Sequence, residues 1–128
     1  MRATEKLVLV VDDDRLVGNA VRRMLDRLGY TTDVYTAGWE ALRVFASDPD
    51  KFQAVITDLT MPQMTGLQLA ERLTSIRPKL GIILISGRCD SLTPEITARA
   101  GIRHVLPKPF GLAEIDGLLK GIIDDETN

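Results

Sequence analysis

The chain has 128 residues, of which 45% are hydrophobic and 27% are charged. This size and balance are typical of one globular domain that can bury a core without metal or disulfide support. The net charge of −2 argues against a general nucleic-acid binder, which usually carries a basic excess. A single cysteine, Cys89, excludes an internal disulfide, and no apolar run approaches the ~18 residues of a membrane span. We therefore expect one cytoplasmic domain over residues 1–128, with no direct nucleic-acid partner and no membrane insertion.

Short apolar runs alternate with amphipathic segments along the chain. The first run, Leu7–Val11, is continuous and rich in valine, as in a parallel strand that is covered on both faces. Residues 16–28 follow with an apolar stripe of helical period. Asp14 stands where it can cap the start of this helix, and Gly29 stands where it can end it.

The same alternation continues to the end of the chain. Thr65 is placed to cap the third helix, and Thr93 with Pro94 to open the fourth. Five strands that alternate with five helices predict an α/β fold, a doubly wound parallel sheet with right-handed crossovers. Beyond the first strand and helix, we predict strands at 31–35, 54–57, 82–85 and 104–106, and helices at about 38–46, 66–76, 94–100 and 111–123.

Polar side chains stand at the ends of four of these strands. They are Asp12, Asp13 and Asp14 after the first strand, Asp58 after the third, Ser86 after the fourth and Lys108 after the fifth. Ligands bind in the crevice beyond the carboxyl ends of such strands, so we expect these side chains to converge. Neighbouring carboxylates repel one another unless a cation joins them, and oxygen donors with waters suit Mg²⁺. A free carboxylate there can attack phosphorus, which predicts a site that accepts a phosphoryl group.

These residues resemble the receiver domain of two-component response regulators, the CheY-like family. The resemblance rests on residues 10–14, 58–66, 86–87 and 108–110, and it spans about residues 5–123. It implies a flavodoxin-like sheet with strand order 2-1-3-4-5 and five flanking helices. It also implies a signalling domain that promotes its own phosphorylation and is not a turnover enzyme on an external substrate.

The resemblance assigns roles to the residues at the strand ends. Asp58 is expected to accept the phosphoryl group from a histidine kinase or a histidine phosphotransfer domain. Ser86 is expected to follow the phosphoryl group with its hydroxyl, and Lys108 to serve as its counter-ion. The family usually has a cis peptide bond before the proline that follows this lysine, here Pro109.

The resemblance also implies a set of ligands for Mg²⁺. Asp13 is expected to bind the ion directly, and Asp12 mainly through water. The carboxylate of Asp58 and the backbone carbonyl of Thr60 are expected to complete the protein ligands.

The sequence departs from the family pattern at one position. Val105 stands three residues before the lysine, where receivers often carry a tyrosine or phenylalanine that moves with the hydroxyl. Because the aromatic half of that switch is missing, a phosphorylation-independent interaction module stays open as the alternative. An aspartyl phosphatase is disfavoured because Thr60 stands where it needs a second aspartate, and three aspartates after the first strand disfavour a flavin site.

Several residues near the expected site have simpler interpretations. Asp14 is expected to act as a helix cap, and Gly66 as a turn or helix-start residue. Cys89 has no neighbour that lowers a thiol pKa, so we expect no redox role. The stretches around Asp58 and Lys108 also look similar to receivers fused at the end of hybrid sensor kinases, which favours an origin in a larger chain.

Overall fold

The computed structural model describes residues 6–87 and 92–127, and it confirms the alternation of strands and helices. The strands are β1 Leu7–Val11, β2 Thr31–Tyr35, β3 Ala54–Asp58, β4 Ile82–Ser86 and β5 His104–Pro107. The helices are α1 Arg15–Arg27, α2 Gly38–Ser47, α3 Gly66–Ile76, α4 Pro94–Arg99 and α5 Leu112–Thr127. Within the described ranges, no helix is long and apolar enough to cross a membrane.

The five strands form one parallel sheet in the order β2-β1-β3-β4-β5. This order confirms the predicted flavodoxin-like, doubly wound fold. The register pairs Val10 with Ile56 across β1 and β3, and Asp58 with Ile85 across β3 and β4. Because the strands are parallel, all their carboxyl ends lie at one edge of the sheet. The strand order reverses at β1, so the crevice for a ligand opens there, beside β3.

The sheet is covered by hydrophobic side chains on both faces. Alternate residues of β1 enter opposite cores, with Leu9 in the cluster that contains Phe45 of α2. Val10 enters the other cluster, which contains Leu25 of α1 and Ile115 of α5. Every residue of β1, β3 and β4 is buried, which explains the continuous apolar runs that predicted these strands.

Polar caps fix the starts of three helices as the sequence predicts. Asp14 Oδ1 accepts the backbone N–H of Leu16 at 3.0 Å at the start of α1. Thr65 and Gln68 form a reciprocal capping box at the start of α3. Thr93 accepts from the third residue of α4. These caps determine where each of the three helices begins after the carboxyl end of the preceding strand.

Some boundaries differ from those predicted. Asp58 and Ser86 are the last residues of β3 and β4, whereas the sequence places both just after their strands. Their backbones are therefore held in the sheet ladder, which positions both side chains more firmly than a loop would. Helix α5 continues to Thr127 instead of ending at Ile123. No proline or glycine stops it, and polar residues can extend a helix without any apolar stripe.

Candidate functional site

Three carboxylates meet at the carboxyl edge of the sheet, beyond β1 and β3. Asp12, Asp13 and Asp58 each offer one oxygen atom within 4.8 Å of the others, and we call these three residues the acid pocket. Asp12 is 1% exposed and Asp58 is 7% exposed, whereas Asp13 is open to solvent. The parallel pairing of β1 with β3 brings together residues that lie more than forty positions apart.

Asp12 carries a buried oxygen atom without a partner. Its Oδ1 accepts the backbone N–H of Asp14 at 2.9 Å. Its Oδ2 is buried and has no hydrogen-bond partner within residues 6–87 and 92–127. Burial, together with the negative charge of Asp58, raises the pKa of Asp12 from 3.8 to about 6, although the hydrogen bond from Asp14 and the positive charge of Lys108 act in the opposite direction. The charged form of this carboxylate therefore destabilises the folded state unless a cation binds to it.

Lys108 brings a positive charge to the acid pocket from β5. Its Nζ lies 3.1 Å from Asp58 Oδ1 in an ion pair that is partly open to solvent. The backbone N–H of Lys108 donates to the carbonyl of Ser86 at 2.8 Å, which holds the end of β5 beside β4. The Lys108-Pro109 peptide bond is cis, as the family resemblance implies.

An open cavity lies above this ion pair. Its walls are formed by Asp58, Thr60, Ser86, Gly87 and Lys108, so residues that carry a carboxylate, a hydroxyl and an ammonium group line one space. Ser86 is 3% exposed. The cavity has the size and polarity to admit a small anionic group next to Asp58, and it places positive charge at its wall.

The acid pocket fits a hard divalent cation. Three carboxylates lie near one lysine, which leaves an excess of negative charge. The Oδ2 atom of Asp12 has no hydrogen-bond partner in the described part of the chain, so it is available as an oxygen ligand. All-oxygen donor sets with few protein ligands and room for water are typical of Mg²⁺ sites. The donor set therefore agrees with the Mg²⁺ expected from the sequence.

Two residues around Asp58 were missed as contributors to the site. Thr57 donates its buried hydroxyl to the carbonyl of Asp58 at 3.0 Å. Gly66, expected only to start a helix, packs directly against the same carbonyl. The signal for Thr57 was a hydroxyl in an otherwise apolar strand. No sequence signal separates a glycine that permits close packing from one that makes a turn.

The remaining sequence predictions fall on different parts of the structure. Val105 is partly buried, packs against the core cluster on the α2 and α3 face, and pairs in register with Leu84. Asp14 caps α1, as expected. Cys89 lies outside the described residues.

The fold and the acid pocket together define a doubly wound α/β domain with a candidate cation site at its topological switch point. Residues 8–120 match the family described as the response regulator receiver domain. The chain belongs to this family: it is a CheY-like receiver domain of two-component systems, a class of signalling domain and not a turnover enzyme. This confirms the family that the sequence motifs indicate.

Relatives and solved structures agree with this family. The response regulator MprA of Mycobacterium ulcerans is 38% identical over an alignment that covers 94% of this chain and 53% of the relative. The chain thus spans about half the length of the curated relatives it matches. A receiver domain from Clostridium thermocellum superimposes with a TM-score of 0.90 at 22% identity, covering 95% of this chain and 97% of that one. The response regulator TrrA from Thermotoga maritima, solved with Mg²⁺ and BeF, has a TM-score of 0.83 at 26% identity, with coverages of 91% and 98%.

Proposed function

We propose that Asp58 accepts a phosphoryl group in two-component signal transduction, with Mg²⁺ bound beside it in the acid pocket. The geometry around Asp58 carries the proposal: its carboxylate is paired with Lys108 at 3.1 Å, while a buried carboxylate oxygen of the neighbouring Asp12 has no hydrogen-bond partner among the described residues. A carboxylate nucleophile, a cationic side chain and a set of oxygen donors for a metal ion are the components that aspartyl phosphorylation needs.

The proposed reaction is a transfer from a phosphohistidine. An oxygen atom of the Asp58 carboxylate attacks phosphorus, the new O–P bond forms as the N–P bond breaks, and the imidazole leaves with the electron pair. Lys108 exchanges its ion pair with Asp58 for one with the phosphoryl oxygens, which its position on the cavity wall allows. Ser86 donates a hydrogen bond from its hydroxyl to the same group, since it lines the same cavity.

The ligands for Mg²⁺ are assigned within the same proposal. Asp13 would bind the ion directly and Asp12 through water, with the Asp58 carboxylate and the Thr60 carbonyl as further ligands. When bound, the ion offsets the charge of a phosphoryl group that approaches three carboxylates. The presence of Mg²⁺ and BeF in the TrrA structure supports this choice of metal.

The proposed phosphoryl donor is a protein that carries a phosphohistidine. Receiver domains interact with histidine kinases, so a histidine kinase or a histidine phosphotransfer domain is the proposed partner. We further propose that residues 1–128 form a single receiver domain with a core over about 5–123, and that it works in the cytoplasm. Its origin in a hybrid sensor kinase stays a prediction.

Intact-mass analysis after incubation with acetyl phosphate tests the proposal. We expect one phosphoryl adduct that forms with Mg²⁺, fails to form with EDTA, and is absent from an Asp58→Asn variant. Asp14→Asn is the matched control, because Asp14 caps α1 and lies outside the acid pocket. An equal adduct on Asp58→Asn would contradict the assignment, as would a wild type that neither forms the adduct nor binds beryllofluoride.

One observation favours a second candidate function. Val105 is partly buried against the core, at the position where an aromatic residue usually couples phosphorylation to the surface of β5. A receiver that binds its partner without phosphorylation would have no need of that coupling. Partner binding that stays unchanged on phosphorylation and in Asp58→Asn would favour this module.

A further inference from the structure

The first turn of α3 packs against the end of β3 with no side chain between them. A Cβ built on Gly66 overlaps the carbonyl oxygen of Asp58 and lies 2.8 Å from Leu84 Cδ1. The backbone N–H of Gly66 donates to the carbonyl of Leu59 at 2.8 Å, which closes the intervening loop. Glycine is therefore needed here for close approach, since Gly66 is not among the residues with a positive φ.

The Asp58 backbone is fixed from several sides at once. The Thr57 hydroxyl donates to its carbonyl at 3.0 Å. The N–H of the next residue, Leu59, donates to the carbonyl of Ile85 in β4 at 3.0 Å. The third constraint is α3 itself, whose N-terminus is locked by the capping box. The carboxylate then extends from this fixed backbone to the ion pair with Lys108.

We propose that Gly66 is a positioning residue for the acid pocket, which sets the place of Asp58 by letting α3 sit directly on its carbonyl group. The proposal rests on the proposed function. Any side chain at position 66 must push α3 away or displace the Asp58 carbonyl. Either movement changes the position of the Asp58 carboxylate relative to Asp12 and Asp13. A displacement of α3 also moves the loop that contains Thr60.

The test compares two glycine-to-alanine variants that introduce similar overlaps at different places. Gly66→Ala acts on the Asp58 carbonyl. Gly81→Ala is the matched control. Gly81 directly precedes β4, at the opposite end of that strand from Ser86, and a Cβ there would overlap the side chain of Ile122 in α5. For both variants and the wild type we would measure the free energy of unfolding, the Mg²⁺ affinity by calorimetry, and the rate of adduct formation from acetyl phosphate at saturating Mg²⁺.

Both variants are expected to lose stability, but only Gly66→Ala should lose function among the folded molecules. Displacements of about 1 Å in a reacting group cost up to about a hundredfold in rate, so we expect a loss of about tenfold or more. We also expect Mg²⁺ affinity to fall. The proposal is overturned if Gly66→Ala keeps both quantities within about twofold of the wild type. It is equally overturned if Gly81→Ala loses as much.

A second variant separates the two overlaps at Gly66. Combining Gly66→Ala with Leu84→Ala removes the contact with Leu84 and leaves the one with the Asp58 carbonyl. The rate and Mg²⁺ affinity should stay low in this double variant, and their full recovery would assign the effect to core packing instead. If neither Gly66→Ala nor the double variant folds, Gly66 is required for folding itself and the proposal fails. A wild type that forms no adduct and binds no Mg²⁺ would instead refute the proposed function.

Discussion

Asp12 illustrates how a single residue can serve a site at the expense of the fold. It is 1% exposed, one of its oxygen atoms has no partner among the described residues, and its burial raises its pKa to about 6. A buried carboxylate of this kind destabilises the native state at neutral pH, because its charged form has lost its solvation. Such a residue is understandable if a bound cation restores the lost interactions.

Asp12→Asn should therefore stabilise the metal-free protein. The amide oxygen can still accept the N–H of Asp14, while the buried charge is removed. At neutral pH without Mg²⁺ we expect the free energy of unfolding to rise by about 3 kcal/mol, because each unit of the pKa difference corresponds to about 1.4 kcal/mol. Denaturant titration with EDTA present measures it, and a less stable variant would contradict this account of Asp12.

The pH dependence of that difference has a definite sign. In the unfolded chain Asp12 ionises with its ordinary pKa of 3.8, whereas in the native state its pKa is about 6. The native state holds this proton more tightly, so the stability that the group contributes is present at low pH and is lost as pH rises between these two values. The advantage of Asp12→Asn should shrink on acidification. Saturating Mg²⁺ at neutral pH should reduce it as well, by stabilising the wild type more.

Thr32 and Thr57 form a second test at the scale of single residues. Thr32 Oγ1 is buried without a hydrogen-bond partner in the described part of the chain, whereas the Thr57 hydroxyl donates to the Asp58 carbonyl. Replacing an unsatisfied hydroxyl by a methyl group removes a desolvation cost, so Thr32→Val should raise the free energy of unfolding by about 1 kcal/mol. Thr57→Val should lower it by a similar amount. Urea titration measures both changes. If the free energy of unfolding changes in the same direction in the two variants, this interpretation is contradicted.

At the scale of elements, α5 contains glycines that its own structure does not require. A Cβ on Gly117 or on Gly121 would meet nothing within 4 Å. Both lie inside a helix, where glycine is about 1 kcal/mol less favourable than alanine. Each change to alanine should therefore raise the free energy of unfolding by about 0.5–1 kcal/mol.

Gly29 supplies the control for this prediction. Its Cβ would also meet open space, but its φ of +91° at the end of α1 disfavours any side chain. Gly29→Ala should therefore destabilise the protein while Gly117→Ala and Gly121→Ala stabilise it. Thermal unfolding of the three variants separates the effect of backbone strain from that of helix propensity. If the two α5 variants are less stable than the wild type, these glycines are needed for a close packing contact.

The order of the elements could be predicted from the sequence because each had two independent signals. β1, β3 and β4 are buried on both faces, which forces continuous apolar runs, and the helices between them begin at polar caps such as Asp14 and Thr65. The ends of α5 and β3 were less predictable. A polar helix end has no periodic signal, and a charged residue such as Asp58 can still belong to a strand when a ligand site follows.

At the scale of the whole molecule, the parallel sheet makes the site. It brings Asp12, Asp58 and Lys108 to one edge from three different strand ends, so the convergence could be predicted once the topology was known. The support beneath the site could not. The contact of Gly66 with the Asp58 carbonyl depends on how closely α3 approaches β3, and that distance follows from packing and not from local pattern.

Identifying the residue that carries the phosphoryl group tests the central claim most directly. Three carboxylates share the acid pocket, so the mass of an adduct alone does not say which one is modified. Borohydride reduces an aspartyl phosphate to homoserine, and peptide mass spectrometry after treatment with acetyl phosphate and Mg²⁺ then locates the change. We predict homoserine at position 58 and nowhere else. Homoserine at Asp12 or Asp13, with Asp58 unchanged, would contradict the assignment of Asp58 as the acceptor.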